Sequence, residues 1–512
     1  MLVSFLSLIV TLMSFISQLV IARLFGAGQV MDVYLISSSF PFLILGLMTG
    51  AISYSIVPAL VSSRVTTPEK SARFAGAILI SFAVLAIGIW LVGYWFSPQV
   101  VRVFAPTLSK DFQSEANQIA RISWVTVGCA LLLSCLTAIH NSARRFVLPV
   151  LVNLLPYMCI IVVSLLWARQ IGTLALAWGM LAGIALAILF LSAKIRREIS
   201  LKLSVRSIYH DVSPILITLP LVLLSISCTQ VFGTSDAFWA SRLAPGSVSY
   251  LGYGQRIIIA LGSLVIQGPA VVIVPYLTEA VAMGRFSYFR HMTARALRMT
   301  ITIAAPLVAM VIVLRIPIIS LLFQRGAFDV QATNGIAFIL PGLLLGMVAM
   351  VSVVILLRAL HAVRDINGAA MIGGVGMLLY FGLSGVFSQF FGLLGISLAY
   401  TITWWLLLGL CVFRIWRGRT KEVIVAANLK FIVVLLIAVT ACSLPVWLLW
   451  SLLSPSFAEL SFISSGMVLA ALVGVGSVSF IAVAGGLFRM PEVIVLVQYF
   501  RPMWKSKSQP GG

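Results

Sequence analysis

Charge is scarce in this chain and acidic charge nearly absent: 13 Asp and Glu stand among 512 residues, and charged residues of both signs make up only 9%. Soluble domains carry roughly 25%, so no water-facing surface can be built from this composition. Histidine is reduced to 4 and cysteine to 6. Cys129, Cys135, Cys159, Cys228, Cys411 and Cys442 all fall inside apolar runs without paired ligand spacing, which argues against a disulfide framework or a metal site. A phosphate-binding lysine motif and a nucleophile elbow are both missing. The Gly373-Gly374-Val375-Gly376 stretch lacks the strand-to-helix context of a nucleotide loop and reads as close helix packing. ATPase and hydrolase functions are thereby excluded, and neither a cofactor nor enzymatic activity is expected. The first cation is Arg23, with no basic n-region before it, so the first apolar run is expected to stay in the mature protein.

What fills the chain instead is hydrocarbon: 61% of residues are hydrophobic. A helix needs about 20 apolar residues to cross a bilayer. Such runs lie near 3–22, 33–61, 75–97, 119–140, 147–168, 171–193, 213–233, 249–277, 297–322, 333–358, 367–390, 393–413, 430–452 and 464–487. That predicts an all-α polytopic membrane protein with fourteen transmembrane helices. The runs are too long and too continuously apolar for the alternating strands of a β-barrel. The net charge of +21 would suggest nucleic acid in a soluble protein, but its placement decides otherwise. Of 34 Lys and Arg, 25 fall in every second connection and the C-terminal tail, eight in the opposite connections, and one, Arg256, inside a span. By the positive-inside bias both termini are expected in the cytoplasm, with the cations facing anionic membrane lipids and no nucleic-acid partner.

Several short signals recur at one offset. Ala22-Arg23-Leu24 returns as Ser241-Arg242-Leu243, Ile56-Val57-Pro58 as Ile273-Val274-Pro275, Phe104 as Phe323, Ala138-Ile139-His140 as Ala359-Leu360-His361, and Gly172 as Gly392. The offsets lie between 217 and 221. Six spans separate the copies, so the halves share one orientation and are expected to be related by rotation about the membrane normal. This predicts an N-terminal six-helix bundle over 1–206, a second over 207–421, and two additional helices with a basic cytoplasmic tail over 422–512.

The local motifs identify the class. Ala22-Arg23-Leu24-Phe25-Gly26-Ala27-Gly28, then Asp32, Phe40-Pro41, Gly50-Ala51 and Val57-Pro58, resembles the lipid II flippase family (MurJ, also called MviN) of the multidrug/oligosaccharidyl-lipid/polysaccharide (MOP) exporter superfamily. The resemblance continues through Gly246-Ser247-Val248-Ser249, Tyr253-Gly254-Gln255-Arg256, Leu322-Phe323-Gln324-Arg325-Gly326-Ala327-Phe328 and Arg364-Asp365-Ile366. It implies a multi-pass protein of the bacterial inner membrane, acting as a monomer, that moves a lipid-linked oligosaccharide from the cytoplasmic to the outer leaflet by alternating access. Cationic side chains in a cleft between the halves would hold the substrate diphosphate.

An Arg within a span costs on the order of 3 kcal/mol by insertion scales and by default faces a cavity with a partner, which makes Arg256 the first candidate for that diphosphate. Asp32 opens the second span and is a candidate to pair with a cation or to gate the outer side; the bland alternative is a helix N-terminal carboxylate complementing its own dipole. Arg23 and Arg242 sit at the outer ends of their helices, where a cation is also simply favourable. Asp236, beside Thr234 and Ser235, is a candidate coupling-ion or gating residue. There are departures from the family: Ser17 and Gln18 stand where it carries an Arg-Asp pair, residues 42–49 hold no charge, and Asn367 and Ile259 replace an expected Lys and an acidic residue. Ser17 and Gln18 are therefore candidates to take over part of the substrate contact. The missing cations keep an exported polysaccharide repeat unit open beside the peptidoglycan precursor. An ion-coupled multidrug exporter and a non-transporting scaffold for polysaccharide synthesis are the alternatives from other classes.

Overall fold

The computed structural model describes the chain from Leu2 to Ile494, apart from 53–55, 67, 107, 194, 196–198, 200–204, 364, 418–428 and 458–460. The described residues form helices and short connections, without a strand: α1 (Leu2–Phe25), α2 (Gln29–Ala51), α3 (Val57–Thr66), α4 (Pro68–Phe104), α5 (Lys110–Ser142), α6 (Val147–Val152), α7 (Leu155–Ile171), α8 (Leu174–Ala193), α9 (Val205–Ala240), α10 (Ser247–Ala282), α11 (Phe286–Val313), α12 (Arg315–Phe323), α13 (Val330–Ala362), α14 (Ile366–Arg417), α15 (Leu429–Phe457) and α16 (Phe462–Phe480). Helices are what hydrocarbon permits, because each satisfies its own backbone polar groups. Among the described residues twelve helical stretches are long and apolar enough to cross a bilayer. One of them, α14, holds two expected spans on either side of Gly392, where the backbone turns at φ 55°. The expected span 213–233 lies within α9.

Two expected spans are interrupted. Span 147–168 breaks into α6 and α7, with Pro156 opening α7, and span 297–322 breaks at Leu314, with Pro317 just inside α12; span 33–61 is covered by α2 and α3, with 53–55 between them outside the described residues. Proline lacks the N–H that an interior position must donate, so it is tolerated where a helix starts. The expected boundary at 206/207 falls in the first turn of α9, and the one at 421/422 lies outside the described residues.

The chain divides into two compact units. The first comprises Met1–Gly252, Phe323–Ala332 and Gly373–Ile396. Its larger core joins Ile78 and Phe82 of α4, Val127, Leu131 and Ile139 of α5, and Ile184 and Leu191 of α8. A second cluster gathers Ile21, Met31, Val33, Ile119 and Leu176. Lipid is as apolar as leucine, so close packing rather than dehydration holds these helices together. Gly183 shows it: a Cβ there would lie 2.3 Å from the Pro156 Cα, so α7 and α8 approach to backbone contact.

The second unit comprises Tyr253–Leu322, Thr333–Ile372 and Ser397–Gly512. Met310 of α11 packs with Val434, Ala438 and Cys442 of α15 and Phe480 of α16. After α16 a π-helical turn, Ile481–Leu487, brings the chain back so that buried Glu492 meets Arg298 at 3.8 Å. Arg298 also lies over the Phe431 ring at 5.7 Å.

Local structure repeats along with the sequence. Helices α5 and α13 are both 33 residues long and begin 220 residues apart. Gly172 and Gly392 share a left-handed turn, at φ 57° and 55°. The His140 ring meets the Leu136 carbonyl at 2.9 Å, and His361 bonds the carbonyl of Leu357 in the same way.

Asp365, from the Arg-Asp-Ile motif whose Arg364 lies outside the described residues, receives both Nε (2.8 Å) and Nη2 (3.0 Å) of Arg414. This fork ties the start of α14 to its end. Those hydrogen bonds hold the Asp365 carboxyl below the usual carboxylate range. A depressed folded value means the stabilisation is fully present above the unfolded pKa of about 3.9 and is lost as pH falls through the folded value. With Arg414 40% exposed the pair is screened, and its contribution stays near ~1 kcal/mol or below. Thermal unfolding of Asp365→Asn is expected to fall slightly below wild type at pH 7 and to converge with it near pH 3. A gap that persists at pH 3 would assign the effect to something other than the ion pair.

Candidate functional site

Three of the candidate residues meet at one end of the first unit, and they meet through the main chain. Asp32 lies in the first turn of α2, yet its carboxylate is spent elsewhere. Oδ2 accepts from Gly246 N at 2.6 Å and Oδ1 from Ser249 N at 2.7 Å. These are orphan donors at the start of α10, so α2 supplies the cap for a helix more than 200 residues away. Gly246 makes the turn at φ 92°, a conformation that favours glycine.

Around this cap, segments from the two sequence repeats exchange contacts. Arg23 contributes its carbonyl, which accepts from Ala327 N at 2.9 Å, while its side chain is exposed. Arg242 contributes its guanidinium: Nη1 donates to the Phe238 carbonyl of its own helix end, and Nη2 donates to Val103 O at 3.0 Å. Its cation lies 3.7 Å from the centre of the Phe238 ring, and burial pushes the guanidinium pKa down. Ser241 Oγ donates to Phe104 O, and Thr234 Oγ1 to Ser39 O at 3.2 Å. Arg23 and Arg242 thus occupy repeat-related positions, and each reaches a connection of the other repeat. Phe104 and Phe238 meet edge to face at 5.5 Å beneath these bonds, with Phe40 and Phe381 extending the aromatic contact on either side.

Two glycines set how close this clasp comes. A Cβ on Gly26 would lie 2.3 Å from the Ala327 carbonyl oxygen, and one on Gly326 would lie 2.4 Å from that of Arg23; both residues have φ above 60°. Gly28, two residues on, has open space around it and an extended backbone. Gly26→Ala is therefore expected to destabilise the clasp, adding about 1–2 kcal/mol of left-handed strain to the clash with backbone. Gly28→Ala should be near neutral. Thermal unfolding of the two purified variants compares them directly; equal midpoints would remove the close approach as a constraint.

Deeper along α9, Asp236 is buried and accepts from the Tyr380 hydroxyl of α14, whose ring stacks on Phe232 at 4.1 Å. On α1, Ser17 is fully buried and donates to the Ser14 carbonyl of its own helix at 2.7 Å. Beside it, Gln18 has a buried Oε1 without a hydrogen-bond partner among the described residues.

Arg256 belongs to the second unit. It is half-buried on α10, and its Nη1 is buried without a hydrogen-bond partner among the described residues. The guanidinium lies over the Tyr253 ring, 5.0 Å from its centre. A buried donor without a protein partner is one that an anion can satisfy.

Sequence reasoning located these residues by type but missed their partners. Tyr380, Ala327 and the Gly26–Gly326 pair carried no separable signal, although all but Tyr380 sat inside quoted motifs.

Comparison with known proteins bears on what such a chain does. The family model "Lipid II flippase MurJ" matches residues 21–468. The lipid II flippase MurJ of Burkholderia cenocepacia is 24% identical over 396 residues, covering 75% of this chain and 76% of that protein. The probable lipid II flippase MurJ of Vibrio cholerae is 23% identical over 510 residues, 94% of each chain. Among solved structures, a lipid II flippase MurJ in an inward closed conformation aligns with a TM-score of 0.79 at 19% identity, covering 95% of this chain and 99% of that one. An inward-facing MATE family multidrug transporter of the MOP superfamily aligns at 0.65 with 16% identity, covering 81% and 96%.

Proposed function

This chain belongs to the lipid II flippase MurJ family, and from that premise we propose that it carries an undecaprenyl-diphosphate-linked sugar from the cytoplasmic to the outer leaflet of the bacterial inner membrane. The observation that carries the reading is Arg256: a guanidinium inside an apolar helix with a buried, unpaired Nη1. Such a group repays its insertion penalty only against an anion or water, and a diphosphate supplies two negative phosphates in the geometry that Arg matches. The multidrug alternative, which needs a carboxylate aimed at a cation, finds less support. Asp32 is engaged by two main-chain N–H groups and Asp236 by Tyr380.

In this reading the clasp around Asp32, Arg23 and Arg242 is the closed outer gate. Opening it releases the Asp32 carboxylate and the Arg242 guanidinium together, so the gate is held by groups that must all let go. Asp236 with Tyr380 is the place where a proton or cation could be exchanged during the cycle; Gln18, with its unpaired oxygen, remains a candidate for the sugar. Ser17, whose hydroxyl is satisfied within α1, is the weakest of the set.

Complementation of cells depleted of their lipid II flippase tests the function. Rescue assigns the peptidoglycan precursor; failure with a stably inserted protein points instead to a polysaccharide repeat unit or a scaffold. Orientation is tested separately. Reporters fused after Arg73, Arg206, Arg298 and Lys421 should read cytoplasmic, and one inserted near Lys110 or Ala244 external. A cytoplasmic signal at Lys110 would overturn both the span count and the placement of the gate.

A further inference from the structure

Beside Arg256, on the same helix, stands a fully buried aromatic residue. Tyr253 is fully buried, one of the largest side chains in the structure with no exposed surface, and it carries a hydroxyl into that position. It lies one turn before Arg256 on α10, so the two side chains project from the same face. The guanidinium carbon stands 5.0 Å from the ring centre, and the Arg256 side chain lies beside the Tyr253 hydroxyl. One neighbour therefore faces the cation with both its ring and its oxygen. Nη1 is left buried and unbonded.

That combination does what a binding site requires of an arginine. A free Arg carries about 2 kcal/mol of rotamer entropy, which the substrate must otherwise immobilise on arrival. Fixing the guanidinium beforehand removes that penalty, and keeping one donor out of any protein bond leaves it for the incoming anion.

We propose that Tyr253 is a positioning residue for the substrate site: its ring and hydroxyl hold the Arg256 guanidinium so that Nη1 faces the phosphate oxygens of the lipid-linked substrate. The inference rests on the reading of Arg256 as the diphosphate contact and goes one residue beyond it. It acts through Arg256, and Tyr253 itself need not touch the ligand.

The test uses the full-length protein in detergent and measures equilibrium binding of undecaprenyl diphosphate, with inorganic pyrophosphate as the probe that lacks the lipid. Tyr253→Phe keeps the ring and the packing and removes the hydroxyl; it is expected to weaken undecaprenyl diphosphate binding by about three- to tenfold, the scale of re-ordering one arginine. Tyr253→Leu, which also loses the ring, should weaken it further. Competition by inorganic pyrophosphate should fall in parallel with lipid binding, as expected for a contact made to phosphate; lipid affinity that falls while pyrophosphate competition is unchanged would overturn the assignment to the phosphates. In the Arg256→Ala background, adding Tyr253→Phe should change affinity no further. Wild-type affinity in Tyr253→Phe and Tyr253→Leu, or an equal loss with and without Arg256, overturns the positioning role. Arg256→Ala with wild-type affinity overturns the site itself, so the two failures are distinguishable.

Discussion

Replacing Arg256 with alanine is expected to abolish transport while leaving the protein inserted at wild-type level. Leaving one partner of a buried ion pair without the other costs about 3–5 kcal/mol, or about 10²–10⁴ in affinity for the diphosphate. The chain lacks the cations that the family resemblance implies at Ser17 and within 42–49, so little else in the sequence can compensate. Arg256→Lys should recover part of the activity, since the ammonium keeps the charge and loses the fork that binds two phosphate oxygens at once. Arg256→Glu separates the transporter classes: it should be worse than alanine for an anionic lipid and better than alanine for a cationic drug. Initial rates of lipid II translocation in reconstituted vesicles, normalised to inserted protein, read all three. Wild-type transport by the alanine variant would take this residue out of the mechanism.

The second large effect is expected at Asp32. Alanine there strips two buried main-chain donors, Gly246 N and Ser249 N, of their acceptor. At about 1–3 kcal/mol for each unsatisfied group, the closed clasp loses at least about 2 kcal/mol, enough to shift a closed-to-open ratio about 30-fold. Asp32→Asn should fall between, because one amide oxygen can replace only one of the two carboxylate acceptors and the amide N–H₂ would face a second donor. Ser247 is buried at this joint and makes a suitable reporter. A cysteine introduced there should react with an external membrane-impermeant thiol reagent at least tenfold faster in the Asp32→Ala background, with transport reduced alongside. Unchanged labelling would mean that the carboxylate caps α10 without controlling the gate.

What the sequence made legible follows from the kind of signal each feature leaves. Spans were legible because bilayer thickness imposes a run length. Their interruptions near Pro156 and Pro317 were less so, since a proline within an apolar run marks a kink as readily as an end. Arg256 stood out because a cation within hydrocarbon is improbable unless it is used. Asp32 stood out as an acidic residue in a chain with few, but nothing in its neighbourhood pointed to α10, because a carboxylate that accepts from peptide N–H groups leaves no mark on the residues that donate. Arg23 illustrates the limit from the other side: the motif drew attention to its side chain, and the structure uses its carbonyl. Asp236 and Tyr380 are 144 positions apart, and only the packing of α9 against α14 joins them.

The Gly26 and Gly326 contacts bear on how the clasp can move. Each presses the missing side chain of one loop against the peptide oxygen of the other, at distances where not even a methyl group fits. Peptide groups have none of the slack of a long side chain, which can bend and keep its bond while the backbone drifts. A joint of this kind has almost no compliance: a displacement of an ångström breaks the Ala327–Arg23 bond outright, and the short Asp32 side chain can follow little further. Opening at this contact is therefore expected to be abrupt rather than gradual. For a protein that must pass a bulky polar headgroup while holding back ions and water, an abrupt opening would leave little room for leakage.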